Sequence, residues 1–315
     1  MSIEITRAGK MSLEIHTPVM PAAGTFGFGD VYRDVVNIEK IGAIVTAPVT
    51  YDQRSPASGP RVVPLDAGIL VHTGLPNPGL NKVLKRYRNL WLMLPVPIIV
   101  HLVGTTPDQV RKSLARLEGE DSVNAVELGL NDDISVRDAE DLVNAALEKT
   151  EKPLLVRLPL YGADHLAEAV ADCGASALVV AAPPRGTARD PISGRLVSGR
   201  IYGPLIKPIS LRMVGQLVRR LESKRIDIPV IGAGGIHSAQ DARDYLEAGA
   251  RAVQVDSVTW VQPKMLEIIA RDLGGWTVTR EAGALPDEWY PGMGDTERER
   301  LRAQQRQDAT PPSGD

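Results

Sequence analysis

Short apolar runs bounded by glycine or proline alternate along this chain with stretches in which apolar positions return every three or four residues. The first kind reads as buried strand and the second as amphipathic helix. Pro229 to Ser257, PVIGAGGIHSAQDARDYLEAGARAVQVDS, shows the unit most clearly. Val230 and Ile231 run into the turn Gly234-Gly235. Ser238 can cap a helix from Ala239 to Ala248, Gly249 supplies its stop, and a second apolar run follows. A side-chain-free turn beside a second strand end can hold a phosphate on backbone N–H groups, as after strands seven and eight of a (β/α)8 barrel. A tight connection without a ligand has the same pattern.

The remaining elements follow the same rule. Ile3 to Thr6 and Leu13 to Ile15, around Ala8-Gly9-Lys10, predict a small hairpin. Strands are expected near Val19, Ala43, Ile98, Ala125, Leu154, Ala177, Val230 and Ala252. Helical spacing covers Tyr32 to Ile41, Pro107 to about Leu117, Val136 to Lys149, His165 to Asp172, Leu211 to Leu221 and Pro263 to Leu273. Two stretches read as long loops: 48–79, and 183–203, PPRGTARDPISGRLVSGRIYG. The strands are short and apolar on both faces, as parallel strands under helices are. Eight such units in about 250 residues predict an α/β fold, a single TIM (β/α)8 barrel. A doubly wound open sheet is the alternative, but no early GxGxxG with a following acidic residue supports it. The barrel domain is expected over residues 1–276. Residues 277–315, charged, Gln-rich and then Pro/Ser/Gly, predict a short helix at most and a disordered tail.

Composition narrows the partners. The 315 residues carry a formal net charge of −3, with 43% apolar and 24% charged residues, so nothing favours nucleic acid or an anionic membrane. No run is long enough to span a membrane and the start lacks a signal-peptide pattern, which makes the cytoplasm the expected location. The lone Cys173 excludes an internal disulfide and a multi-cysteine metal or iron–sulfur site; it is expected to be buried packing.

AAGTFGFGD, GAIVTAPVT, GLPNPG, GPLIKPISLRMV, PVIGAGGI and GARAVQV occur in that order. From Pro18 to about Leu273 the chain thereby resembles the dihydroorotate dehydrogenase family, FMN-dependent barrels of pyrimidine synthesis. The resemblance implies FMN wrapped by Ala23, Gly24 and Thr25, with Thr46 also on the cofactor side, and its phosphate against the backbone of Gly203, Gly234, Gly235 and Ser257. The family's Gly-Thr pair after strand eight is here Asp256-Ser257. A carboxylate there repels a phosphate dianion unless it points away. Two family lysines become Ala47 and Arg157, the latter keeping the charge in a different geometry. A family asparagine near the ring becomes His101.

The substrate side departs further. The positions of the family's orotate-binding asparagines fall on Val71, on Gly129 to Ile134, and on Ala181-Ala182. A site that leaves polar substrate groups unpaired loses on the order of 10⁴-fold in discrimination. The family's Cys or Ser base matches Asp132, which acts as a base if screened from water, or with Asp133 merely caps the helix near Val136. His72 and His101 could join Asp132 in an acid–base set, with His16, His165 and His237 outside the site. Arg185, Arg189, Arg195 and Arg200 either bind an anionic substrate or form a solvated face. Three functions stay open: an FMN oxidoreductase for dihydroorotate, one for a less polar CH–CH substrate beside a carbonyl, or a barrel serving as a binding or partner subunit. A homodimer is implied by the resemblance. A bulky residue at Gly234 is expected to remove FMN and leave the fold intact.

Overall fold

The computed structural model describes residues 2–7 and 11–281. The chain enters through β1 (Ile3–Glu4) and β2 (Glu14–Ile15), an antiparallel pair; the turn expected at Ala8-Gly9-Lys10 lies outside the described residues. β3 (Val19–Pro21) and β4 (Ile44–Val45) follow, then β5 (Val62–Leu65), β6 (Gly68–Val71) and α1 (Leu80–Met93). Regular alternation then runs β7 (Ile98–Leu102), α2 (Pro107–Glu118), β8 (Ala125–Gly129), α3 (Val136–Leu147), β9 (Leu154–Pro159), α4 (Ala163–Asp172) and β10 (Ala177–Ala182). After β11 (Arg185–Arg189) and β12 (Leu196–Tyr202) come α5 (Lys207–Ser223), β13 (Val230–Ala233), α6 (Ala239–Glu247), β14 (Ala252–Val255), α7 (Val258–Val261) and α8 (Met265–Glu281).

Eight of these strands form one parallel sheet in the order β3-β14-β13-β10-β9-β8-β7-β4. It is a nearly closed (β/α)8 barrel. Its ends meet where the Gly42 N–H donates to the Val19 carbonyl at 2.7 Å. A β-carbon on Gly42 would lie 2.2 Å from the Thr17 carbonyl oxygen, so only glycine fits the seam. Inside, Met20, Val45, Ile99, Leu155, Val179 and Ile231 pack with Ile5, Leu13 and Ile15, so the β1–β2 hairpin stoppers the amino-terminal end. A larger apolar layer lies between barrel and helices, to which α1 contributes Leu80, Val83, Leu84, Tyr87 and Trp91.

Local chemistry accounts for most element ends. Thr106 caps α2 with Pro107 in its first turn, and Ser238 caps α6 by accepting the Asp241 N–H at 3.1 Å. Gly249, at φ +101°, ends α6 as expected. The helix expected over Tyr32 to Ile41 does not form; a single 3-10 turn, Ile38–Lys40, stands there. Asn37 is extended and its side chain accepts the Glu39 N–H, while the β-branched Val35-Val36 pair lowers helix propensity just before it. α1, in turn, was not expected. α8 continues through Trp276 to Glu281, past the expected domain end, and the tail beyond lies outside the described residues. No helix among the described residues is long and apolar enough to cross a membrane.

The two expected loops are the main correction. They contribute β5 and β6 from one and β11 and β12 from the other to a single antiparallel sheet, in the order β11-β12-β6-β5. Val71 faces Arg200 and Ile69 faces Tyr202 in its register. Val63, Leu70 and Val197 give it a small core of its own. This sheet follows the carboxyl ends of β4 and β10, so it belongs to the barrel rim where ligands bind.

Candidate active site at the carboxyl rim

One step further along the strands than the apolar interior, the side chains turn ionic. His101 on β7, Glu127 on β8, Arg157 on β9 and Gln254 on β14 point inward and are buried. Arg157 Nη1 donates to Glu127 Oε1 at 3.0 Å and to Gln254 Oε1 at 2.6 Å. Gln254 Nε2 donates to Glu127 Oε2 at 2.5 Å, and His101 Nδ1 lies 2.8 Å from Glu127 Oε1. Burial alone would raise the Glu127 carboxyl. The Arg157 guanidinium and the bonds from His101 and Gln254 outweigh it and lower the pKa to about 2. An ionised Glu127 therefore accepts from the His101 Nδ1–H, which fixes the ring's orientation and leaves Nε2 as the nitrogen outside this bond. Gly129 makes room for that ring: a β-carbon there would lie 2.9 Å from His101 Cε1.

A second cluster lies where β13 and β14 end, beside the short α7. Gly234 and Gly235 turn at φ +124° and +67°. Tyr245, fully buried, donates its hydroxyl to the Gly234 carbonyl at 2.7 Å. The Asp256 carboxylate turns into the corner: Oδ2 accepts the Gly235 N–H at 3.3 Å and Oδ1 accepts the Ser257 N–H at 2.6 Å. Burial pushes the Asp256 pKa up against those two N–H bonds and nearby His237. Ser257 Oγ lies 3.2 Å from Asp256 Oδ1 and 3.3 Å from His237 Nε2. His237, expected outside the site, is thus part of this corner because the glycine turn carries it there. Tyr202 packs edge-on against Trp260, ring centroids 5.0 Å apart. Burial raises its hydroxyl's pKa.

The other sequence candidates fall as follows. Ala23, Gly24 and Thr25 turn directly after β3; the Thr25 hydroxyl donates to the Ala22 carbonyl of its own turn. Thr46 follows β4, fully buried, where its hydroxyl accepts the His101 N–H and donates to the Ala47 carbonyl. Gly203, at φ +138°, follows β12, and its carbonyl would lie 2.9 Å from a β-carbon on Gly235. The same β-carbon would stand 2.5 Å from the backbone N of Lys207, and one on Gly234 would stand 2.5 Å from Ser210 Oγ. These glycines are required by the chain's own packing. A bulky residue at Gly234 would therefore disturb the fold, contrary to the expectation above.

Asp132, after β8, does not cap α3; Ser135 does, accepting the Asp138 N–H. Instead Arg200 Nη1 donates to Asp132 Oδ1 at 2.5 Å, and Arg185 Nε lies 3.1 Å from Oδ2. Arg200 also donates to the Pro183 carbonyl at 2.7 Å, so two of the four loop arginines clasp the β11–β12 hairpin to the β8 loop. Arg200→Ala is expected to speed amide hydrogen exchange across β11 and β12 while costing only about 1 kcal/mol of global stability. His72 is exposed just beyond β6, and its side chain makes no described contact with Asp132 or His101. Cys173 is only half-buried, at the end of α4. Glu127 and Gln254 were missed, though an acid and an amide inside the apolar strands AVELG and AVQV signal buried partners.

Fold and site together define a barrel of the enzyme type: a stoppered amino-terminal end, a buried ion network on the axis at the carboxyl rim, and glycine turns around it. The sequence model of the family described as dihydroorotate dehydrogenase matches residues 8–275. The chain is 34% identical over 298 residues to the dihydroorotate dehydrogenase B (NAD(+)) catalytic subunit of Trichlorobacter lovleyi, covering 89% of this chain and 94% of that one. It is 34% identical over 281 residues to the protein of the same description from Pelobacter propionicus (84% and 90% covered), and 32% over 291 residues to that from Shouchella clausii (87% and 94%). The chain belongs to the dihydroorotate dehydrogenase family.

Proposed function

We propose that this chain is an oxidoreductase that dehydrogenates a CH–CH bond beside a carbonyl at the carboxyl rim, with dihydroorotate or a close relative as substrate. The observation that carries this reading is the buried network around Arg157, in a chain that shares this family's whole barrel. Such a reaction needs a hydride acceptor that no side chain here supplies, and the resemblance names a flavin for it.

The two ends of the rim suit FMN unequally. At the axis, Arg157 is a permanent cation whose Nη1 hydrogens are held by Glu127 and Gln254, with further N–H groups on the fork to face an electron-rich heterocycle. At the glycine corner, Asp256 takes the Gly235 and Ser257 N–H groups that a phosphate would need. That end does not fit a phosphate dianion.

Of the proton acceptors the sequence suggests, His101 has the better chemistry. Its Nδ1 is oriented by an ionised carboxylate, so a proton taken up by the ring goes to Nε2. Asp132 has both oxygens engaged by guanidinium groups and would have to break an ion pair to take a proton. The proton leaves the substrate carbon for His101 Nε2, while Arg157 balances negative charge building on the axis.

Anaerobic dihydroorotate should bleach the yellow protein. His101→Gln should lower the rate by about 10²-fold or more and Asp132→Asn by less than about tenfold. Equal losses in both would return the base to Asp132, and a yellow protein that dihydroorotate leaves unbleached would reassign the substrate. The description of the relatives as catalytic subunits supports a second subunit for this chain as well. Light scattering on the purified chain tests the homodimer that the resemblance implies.

A further inference from the structure

In (β/α)8 barrels the turns after strands seven and eight, with a short extra helix, form an anion cradle of backbone N–H groups. All three parts are here: Gly234-Gly235, Asp256-Ser257 and α7. What differs is the occupant. Asp256 is 3% exposed, and its two oxygens already sit on the Gly235 and Ser257 N–H groups, one on each turn. The carboxyl takes these donors whether it is charged or neutral, so a phosphate must displace it. In its charged form it also repels the phosphate across a few ångströms of buried space.

The surroundings reinforce the exclusion. Lys207, the lysine at the start of α5, is committed to Asp241 and Asp244 at 2.5 and 2.6 Å. His237 reaches Ser257 Oγ, the hydroxyl that itself lies 3.2 Å from Asp256. The Gly234 carbonyl is tied to Tyr245, and a β-carbon at Gly235 would meet the Lys207 and Gly203 backbones, so the turn is packed on its outer side. Trp260, whose backbone N–H donates to the Ser257 carbonyl at 3.1 Å, brings with Tyr202 an aromatic pair to the α7 side of the corner.

We propose that the Asp256 carboxyl is a built-in occupant of the phosphate corner, so that this site selects a flavin whose far end is an uncharged hydroxyl, riboflavin rather than its phosphate. This rests on the flavin reading above. The carboxylate then serves as hydrogen-bond acceptor for the terminal ribityl hydroxyl, a role it fills without leaving the N–H groups, since each carboxylate oxygen has more than one lone-pair direction.

The test is a pair of fluorescence-quenching titrations, with riboflavin and with FMN, on the wild-type chain, Asp256→Gly and Asp256→Asn, each variant first checked for cooperative thermal unfolding. Wild type should bind riboflavin at least as tightly as FMN. Asp256→Gly, which opens the cradle, should move the riboflavin-to-FMN affinity ratio toward FMN by about tenfold or more, and Asp256→Asn, which removes the charge alone, should move it part of the way. A wild type that prefers FMN, or a ratio that moves less than about tenfold in Asp256→Gly, overturns the proposal and leaves the flavin reading standing. If none of the three proteins binds either flavin, both fall together.

Discussion

Glu127→Ala should be the most damaging single change inside this barrel. It leaves the Arg157 guanidinium buried on the axis with only Gln254 as a described partner and unties His101. Removing one member of a buried pair costs about 3–5 kcal/mol, and the urea midpoint of the ligand-free protein reads it. Glu127→Leu combined with Arg157→Met should recover only part of the loss: it removes the stranded cation but leaves the Gln254 amide and the His101 Nδ1 without the partners described above. Acid gives the same answer by another route. The Glu127 pKa, depressed to about 2 in the folded chain, lies below its unfolded value of about 4.3. Its contribution is therefore present above that unfolded value and is lost as pH falls from there toward about 2. Wild type should lose stability through this window faster than the double variant. Parallel acid curves would mean that the network adds nothing to folding.

Gly235→Ala is the second large effect. The left-handed backbone costs an ordinary residue about 1–2 kcal/mol, and the new methyl meets backbone atoms of Lys207 and Gly203, which do not swing aside as a side-chain tip would. Overpacking adds about 1–3 kcal/mol. Gly162 is the control: φ is +88° and nothing lies within 4 Å of its β-carbon position. Gly162→Ala should show the backbone cost alone, about 1–2 kcal/mol. If the two variants melt alike without ligand, the close approach at Gly235 is not rigid, and its glycine would have to be explained by a ligand.

The sequence showed the barrel because its signals are local. Apolar runs such as Ala177 to Ala182, the Ser238 cap and the Gly249 stop each act within a few residues, and the structure has them where expected. α1 is legible too, since Leu80, Val83, Leu84, Tyr87 and Trp91 repeat at helical spacing. Over Tyr32 to Ile41 the apolar spacing is helical, but the Asn37 side chain accepts the Glu39 N–H and competes with the helix. The rim sheet was another matter. Val71 and Arg200 are far apart in the chain, and strands as rich in Gly and Arg as β11 and β12 carry almost no alternating pattern. Within the site, the charge of Arg157 could be anticipated but not its partners. The direction in which Asp256 points needed coordinates, and it changes what the corner can hold.

The rim sheet also bears on how such barrels can be re-engineered. Its two halves leave the barrel after different strands, and β6 and β12 complete each other's hydrogen bonding. A chimera that imports one half without the other would expose a bare strand edge beside the ligand mouth, inviting self-association. Specificity swaps among relatives should therefore travel as a matched pair of segments, and a transplant of either alone should aggregate before it changes substrate.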